Sequence, residues 1–301
     1  MDALELSIYK RYRNVIDPDW KPGLVAFGVG VAEPRSVRLC DLLNDYDAFC
    51  FDGYGTLYNR GSFVYEHALE WFAMLRKAGK LLRLVTNAAS NVESVLAAEA
   101  DARGFDFTAE ETISSGSLAG NFFAQRAGTG NAIRELYYIG RPTGVAVLES
   151  FGVAAVENPE CPVVAVSSAT ADDAMFLHAV DILRRPGSIL LVLNSDAWAP
   201  NIDGSRSPVS GALAERLRRE SGCGEVHYFG KPFSAIFDKV KASLPAGSRI
   251  LMVGDTLGTD VMGARYASID SALIVGRNEP PAELDDDERA LEIRPDYYLV
   301  G

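Results

Sequence analysis

Four short stretches carry side chains able to do chemistry, and each directly follows an apolar run. Asp52 comes after "AFCF", with Tyr54 two residues on and Gly55-Thr56 beyond it. Thr86 and Asn87 follow "LLRLV", Lys231 follows "HYFG", and "GDTLGTD" (Gly254 to Asp260) follows "RILMV". A carboxylate such as Asp52 can act as a covalent nucleophile when a metal ion and a positive charge hold its substrate in line. The other three stretches offer those groups. Asp255 can reach a magnesium ion while Asp260 orients the ion or its waters. Thr86 and Asn87 bring a hydroxyl, a side-chain amide and backbone N–H groups, enough to hold one phosphoryl oxygen. Lys231 precedes Pro232, and proline suits the first position of a helix, so its ammonium group is expected near a helix start, a natural anion site. Each stretch alone has a plainer reading: a turn aspartate before glycine, a helix cap, a surface lysine, a solvated acidic turn.

Such residues meet only if the strands before them end side by side. The chain alternates strand-like and amphipathic helical segments, the pattern of an α/β protein with a mainly parallel sheet. "DAFCFD" leads into the helical "SFVYEHALEWFAMLRKAGK" and then the strand "LLRLVTN". Loops leaving the carboxyl ends of such strands converge. Ser90 with Glu93, and Thr108 with Glu111, match capping boxes and predict helices over "SNVESVLAAEADARG" and "ETISSGSLAGNFFAQR". "GSRILMVGD", "SALIVG" and "YYLVG" read as later strands of the same sheet. Between 133 and 208, "ELYYIG", "CPVVAVSS", "DDAMFLHAVDILRR" and "SILLVLNSD" form a self-contained set, expected to be an inserted α/β cap domain. The expected organisation is a Rossmann-like core at 45–132 plus 209–301, a cap at 133–208, and a leading segment 1–44 with no assigned role.

Bulk properties narrow the function. Among the 301 residues, no apolar run approaches the ~20 a membrane helix needs. The start, "MDALELSIYKRYRNVIDPDW", lacks the basic-then-apolar order of a secretory signal, so a cytoplasmic protein is expected. Cys40, Cys50, Cys161 and Cys223 show no CxxC spacing, which disfavours zinc and favours reduced structural thiols. A formal charge of -12 argues against nucleic acid as a partner, and an anionic substrate then needs locally placed positive charge. His67 and His178 fall in helical patterns, and His227 lies three residues before the strand mouth, so none is a site candidate. "GRPTG" (Gly140 to Gly144) reads as a solvated loop, and "NSDAWAP" as a hinge or pocket wall near the end of the cap.

The order of the four stretches resembles the haloacid dehalogenase superfamily of aspartate-nucleophile hydrolases over residues 47 to 276. "GTLYNRG", "LRKAGKLLRLVTNAAS", "LNSDAWAP", "GKP" and "VGDTLGTDVMGA" resemble the subfamily with a large α/β cap between its second and third motifs. The resemblance implies a Mg2+-dependent hydrolase acting on a small phosphorylated metabolite. It assigns Asp52 as nucleophile, the backbone carbonyl of Tyr54 and Asp255 as metal ligands, Thr86 and Lys231 as phosphoryl holders, and Asp260 as metal support. It also implies a homodimer through the cap.

One residue departs from the pattern. Phosphatases of this superfamily usually carry DxDGT, whose second acid protonates the leaving oxygen and then activates water. Here the stretch reads DxYGT. A phenol has an ordinary pKa of about 10 against about 3.9 for aspartate, so Tyr54 is a poor base at neutral pH. The superfamily's 2-haloacid dehalogenases also carry a tyrosine there, because halide leaves without a proton, but they work without metal and lack an acidic pair like Asp255 and Asp260. Two other readings therefore stand beside the phosphohydrolase: a carbon-centred dehalogenase-like hydrolase, and a ligand-binding or regulatory protein that has lost turnover.

Overall fold

Short apolar runs buried at every position dictate strands covered on both faces, which parallel sheets require. The computed structural model describes residues 1–21 and 33–300. Its strands are β1 (Arg35–Val37), β2 (Ala48–Phe51), β3 (Leu81–Thr86), β4 (Thr112–Ser114), β5 (Glu135–Ile139), β6 (Ala154–Ala155), β7 (Val163–Val166), β8 (Ile189–Val192), β9 (Trp198–Pro200), β10 (Arg206–Pro208), β11 (Glu225–Tyr228), β12 (Ile250–Gly254), β13 (Asp270–Ile274) and β14 (Tyr297–Leu299). The α-helices are α1 (Ala3–Ile16), α2 (Ala68–Lys77), α3 (Glu93–Asp101), α4 (Ser115–Gly128), α5 (Thr143–Glu149), α6 (Asp173–Leu183), α7 (Ser210–Ser221), α8 (Ser234–Ala242), α9 (Met262–Tyr266) and α10 (Leu284–Leu291).

The larger sheet runs β1-β14-β13-β12-β2-β3-β4, and every pair in it is parallel. From β2 the chain builds outward to β3 and β4, then returns on the other side as β12, so the order reverses between β2 and β12. A crevice opens at such a reversal, outside the carboxyl ends of the strands. Register brings the ends level: Phe51 pairs with both Val253 and Leu84. Alternation along β2 feeds two cores at once, Ala48 and Cys50 on one face and Phe49 and Phe51 on the other.

A second, five-stranded parallel sheet has the order β11-β8-β7-β5-β6. It includes β11, which precedes Lys231 and pairs with β8, and Leu213, Ala214 and Leu217 of α7 pack into its core with Phe176 and Val180 of α6. Residues 210–228 therefore belong with the second sheet rather than with the core, and we place the downstream edge of the cap near 229 instead of 208. The reason is physical: "EVHY" is exposed at Glu225 and half-buried at the other three residues, the burial of an edge strand, and its only strand partner among the described residues is β8.

Other local expectations shift as well. α3 is capped by Val92 with no side-chain bond, and Ser90 is instead hydrogen-bonded to Ser167 (3.1 Å). Thr108 and Glu111 do exchange reciprocal hydrogen bonds (3.1 and 3.2 Å), but the next element is β4, and Ser114 caps α4. His67 ends up as the residue before α2, not inside it. Pro232 lies outside α8, which starts at Ser234, so Lys231 projects from a loop.

The leading segment acquires a structural place. Asp2 caps α1 by accepting from Leu4 and Glu5 N–H groups (2.9 and 2.8 Å). Ile8, Tyr9 and Tyr12 then pack with Leu257, Val261, Met262 and Leu291. Tyr9 comes so close to Gly258 that a Cβ there would lie 2.2 Å from its ring. β1 extends the edge of the larger sheet beside β14. Much of the glycine- and proline-rich stretch between α1 and β1 lies outside the described residues. Among the described residues no helix is long and apolar enough to cross a membrane.

Candidate active site

Asp52 leaves the end of β2, with its N–H donating to the Val253 carbonyl (2.9 Å). Lys231 meets it from the loop after β11. Its Nζ lies 2.5 Å from Asp52 Oδ1 and 2.8 Å from Asp260 Oδ1, and the side chain is almost wholly buried. Asn87 holds this lysine: its Oδ1 accepts from Lys231 N–H (2.8 Å) and its Nδ2 donates to the Lys231 carbonyl (3.0 Å). The fit requires Gly230, whose φ is +86° and where a Cβ would sit 2.2 Å from Asn87 Oδ1.

The turn after β12 gathers the other two acids. A π-helical turn, Leu257–Val261, brings Asp260 back so that its Oδ2 accepts from the N–H groups of Asp255 (3.2 Å) and Thr256 (3.1 Å). Such turns are frequent at functional sites. Thr256 Oγ1 donates to Asp255 Oδ1 (3.1 Å) and accepts from Asn278 Nδ2 (2.7 Å). Asp52, Asp255 and Asp260 are all buried, each offering an oxygen within 4.8 Å of the others. Among the described residues, Asp255 Oδ2 has no hydrogen-bond donor.

Three buried carboxylates against one ammonium leave an excess of negative charge, which is costly in a low dielectric. Burial, opposed by Lys231, raises Asp52 to about 7. Burial and the charges of Asp52 and Asp260 push Asp255 well above the usual carboxylate range. Burial alone would lower Lys231, but Asp260, Asp52 and Asp196 overcome it and hold the ammonium protonated. A cation relieves this imbalance. The donor set is oxygen only and includes a buried carboxylate oxygen without a partner, which fits a hard divalent ion such as magnesium.

Asp52 and Thr86 open onto a cavity of 430 Å³ that also exposes Tyr54, Glu99, Arg141 and Asp196. A larger hollow, 620 Å³, lies at the opposite, amino ends of β2, β12 and β13 and touches none of the three clustered acids. Asn87 is brought to the site but does not line the cavity. Its amide is committed to Lys231, to Ser195 Oγ (3.2 Å) and to Asp196 Oδ1 (2.8 Å), so its side chain ties loops together rather than facing a phosphoryl oxygen. Thr86 Oγ1 accepts from Ala88 N–H (3.1 Å) and remains at the cavity wall.

Sequence reasoning passed over Glu99 and underrated Arg141, which lines the cavity from the cap instead of sitting in a solvated loop. Glu99 gives no signal in sequence, being one helical glutamate among several. Asp196 follows an apolar strand, so its position was legible although its burial was not. Burial raises Asp196 from an ordinary 3.8 to about 6, with Lys231 and Asn87 opposing. Between about pH 4 and 6 the unfolded chain sheds this proton while the folded chain keeps it, so stability falls across that window and stays lower above it. Asp196→Asn keeps an acceptor for Asn87 and is expected to stabilise the protein at pH 8 by roughly 1–3 kcal/mol, with no gain at pH 4. Denaturant melts at the two pH values check this.

A family model for haloacid dehalogenase-like hydrolases matches residues 49–154, and a second, HAD-hydrolase-like, matches 228–300. Chronophin of Rattus norvegicus is 30% identical over 236 residues, covering 76% of this chain and 76% of its own. The chain belongs to the haloacid dehalogenase-like hydrolases. Two solved structures share the fold. A possible sugar phosphatase from Cytophaga hutchinsonii matches with TM-score 0.75 at 22% identity, covering 89% of this chain and 98% of that one. Glycerol phosphate phosphatase from Mycobacterium tuberculosis in complex with magnesium matches with TM-score 0.68 at 23% identity, covering 85% and 76%. Within this family the chain falls in the branch with a large α/β cap, and it is a hydrolase.

Proposed function

We propose that the protein is a Mg2+-dependent phosphohydrolase of a small phosphorylated metabolite, working through a phosphoryl group carried on Asp52. The observation that carries this reading is the buried triad of Asp52, Asp255 and Asp260 around Lys231, with Asp255 Oδ2 lacking a donor among the described residues. The phosphatases among its relatives, one of them solved with magnesium, support it. A dehalogenase would have no use for that acidic excess, since a cation on Asp52 would blunt its attack on carbon.

Asp52, Asp255 and the backbone carbonyl of Tyr54 would hold the metal, with Asp260 orienting the loop. When bound, the metal neutralises charge on the phosphoryl oxygens and on Asp52. Lys231 and Thr86 orient the phosphoryl group. An Asp52 oxygen attacks phosphorus, the bond to the leaving oxygen breaks, and the aspartyl phosphate is then opened by water with loss of the P–O bond to Asp52. One water proton remains on the released phosphate and the other ends on the leaving oxygen. The cap walls the cavity with Arg141, Ser167 and Thr170, which exclude bulk water when a substrate is seated.

Assays of aryl and alkyl phosphates with added magnesium or chelator test this. Chelation is expected to lower turnover by ~10²-fold or more, with full recovery on readdition of magnesium. Turnover that persists in chelator, or halide release from 2-haloacids there, would overturn the reading.

A further inference from the structure

Two residues after Asp52, this site has a phenol whose single proton is already committed. Tyr54 Oη donates to Glu99 Oε2 on α3 at 3.2 Å. The other carboxylate oxygen of Glu99 accepts from Asn91 Nδ2 (3.0 Å), so the carboxylate is held from two sides. Arg103 donates to the Glu99 backbone carbonyl while its guanidinium stacks 4.9 Å over the Tyr58 ring, and Tyr58 packs edge-on against Tyr54 at 5.1 Å. Tyr54, Asn91, Glu99 and Asp52 line one cavity, and Arg141 faces it from the cap.

A phenol has one hydrogen to give, and its oxygen keeps lone pairs to accept with. With the hydrogen on Glu99, Tyr54 presents only an acceptor to the cavity. It can receive a hydrogen bond from water but cannot give one to a leaving oxygen. The remaining acids on the cavity wall do not replace it, because Asp52 is paired with Lys231 and Asp196 is bound by Asn87.

We propose that Glu99 is a positioning residue that locks Tyr54 as an acceptor, and so restricts the site to phosphate esters and anhydrides whose leaving group departs without a proton, such as aryl, enol or acyl phosphates. This rests on the phosphohydrolase reading and deepens it. Removing the carboxylate frees the phenol hydrogen to turn toward the leaving oxygen. The variant Glu99→Ala should then gain on alkyl phosphates relative to aryl ones, where leaving-group protonation matters little.

The test compares kcat/KM for an alkyl and an aryl phosphate in magnesium, for the full chain and its variants. In Glu99→Ala the alkyl-to-aryl ratio is expected to rise roughly tenfold or more, and adding Tyr54→Phe to that variant should remove the gain. In parallel, infrared difference spectra on ring-labelled tyrosine, wild type minus Tyr54→Phe, isolate this phenol from the other eleven tyrosines among the chain's 12. The C–O stretch separates a donating from an accepting hydroxyl, so a donor-type band that shifts in Glu99→Ala supports the lock. An unshifted band, or equal slowing of both esters, overturns the proposal while leaving the phosphohydrolase reading intact. If the wild type hydrolyses neither ester in magnesium, that reading falls, and the infrared band still decides whether Glu99 holds the phenol proton.

Discussion

Asp52→Asn lowers kcat/KM toward an aryl phosphate by on the order of 10⁴-fold or more, because an amide cannot form and release the acyl phosphate that a carboxylate does and loss of a covalent nucleophile is among the costliest single changes. The fold should survive. Lys231 keeps its 2.8 Å ion pair with Asp260, and Asn87 still holds its backbone on both sides. Burial already disfavours the charge at position 52, raising its pKa to about 7, so a neutral isostere costs little there. Steady-state rates with a thermal melt on the same preparation check both halves. Residual activity within tenfold of wild type would remove Asp52 from the role of nucleophile.

The second large effect runs the other way. Tyr54→Asp restores a carboxylate at the position where a leaving oxygen needs a proton and where the attacking water needs a base. General acid–base catalysis contributes typically 10²–10⁴-fold, so kcat on alkyl phosphates is expected to rise by at least ~10-fold, even with imperfect placement. Aryl phosphates should gain less in the first step, since their leaving groups depart as anions. The shorter side chain also gives up the hydrogen bond to Glu99, leaving that carboxylate with Asn91 alone. Rates on paired alkyl and aryl esters measure the outcome. An unchanged or lower alkyl rate would count against the role assigned to position 54.

Both variants act on residues that local chemistry singles out. Asp52, Thr86 and Asp255 each follow an apolar run, and parallel pairing with Phe51 level with Val253 and Leu84 was bound to bring such run ends to one edge. The α/β class, the later strands β12 to β14 and the insertion of a second strand-and-helix set were legible for the same reason: periodicity and burial along a short run are local properties. The missing second acid was legible too, as a single letter in DxYGT.

What the linear order could not reveal depends on partners far away in the chain. β11 joins the cap only because β8 offers it an edge, so the boundary moved past 208. Asn87 looked like a phosphate holder because its type permits it, yet contacts with Ser195, Asp196 and Lys231, all more than a hundred residues on, consume its amide. α1 finds its role by covering the turn that carries Asp260, and Glu99 becomes significant only because α3 packs where Tyr54 ends. The amino-acid sequence by itself determined which groups could react. The tertiary structure decided which of their donors and acceptors were left free to do so, because a hydrogen bond or a buried charge is spent on whichever neighbour packing supplies.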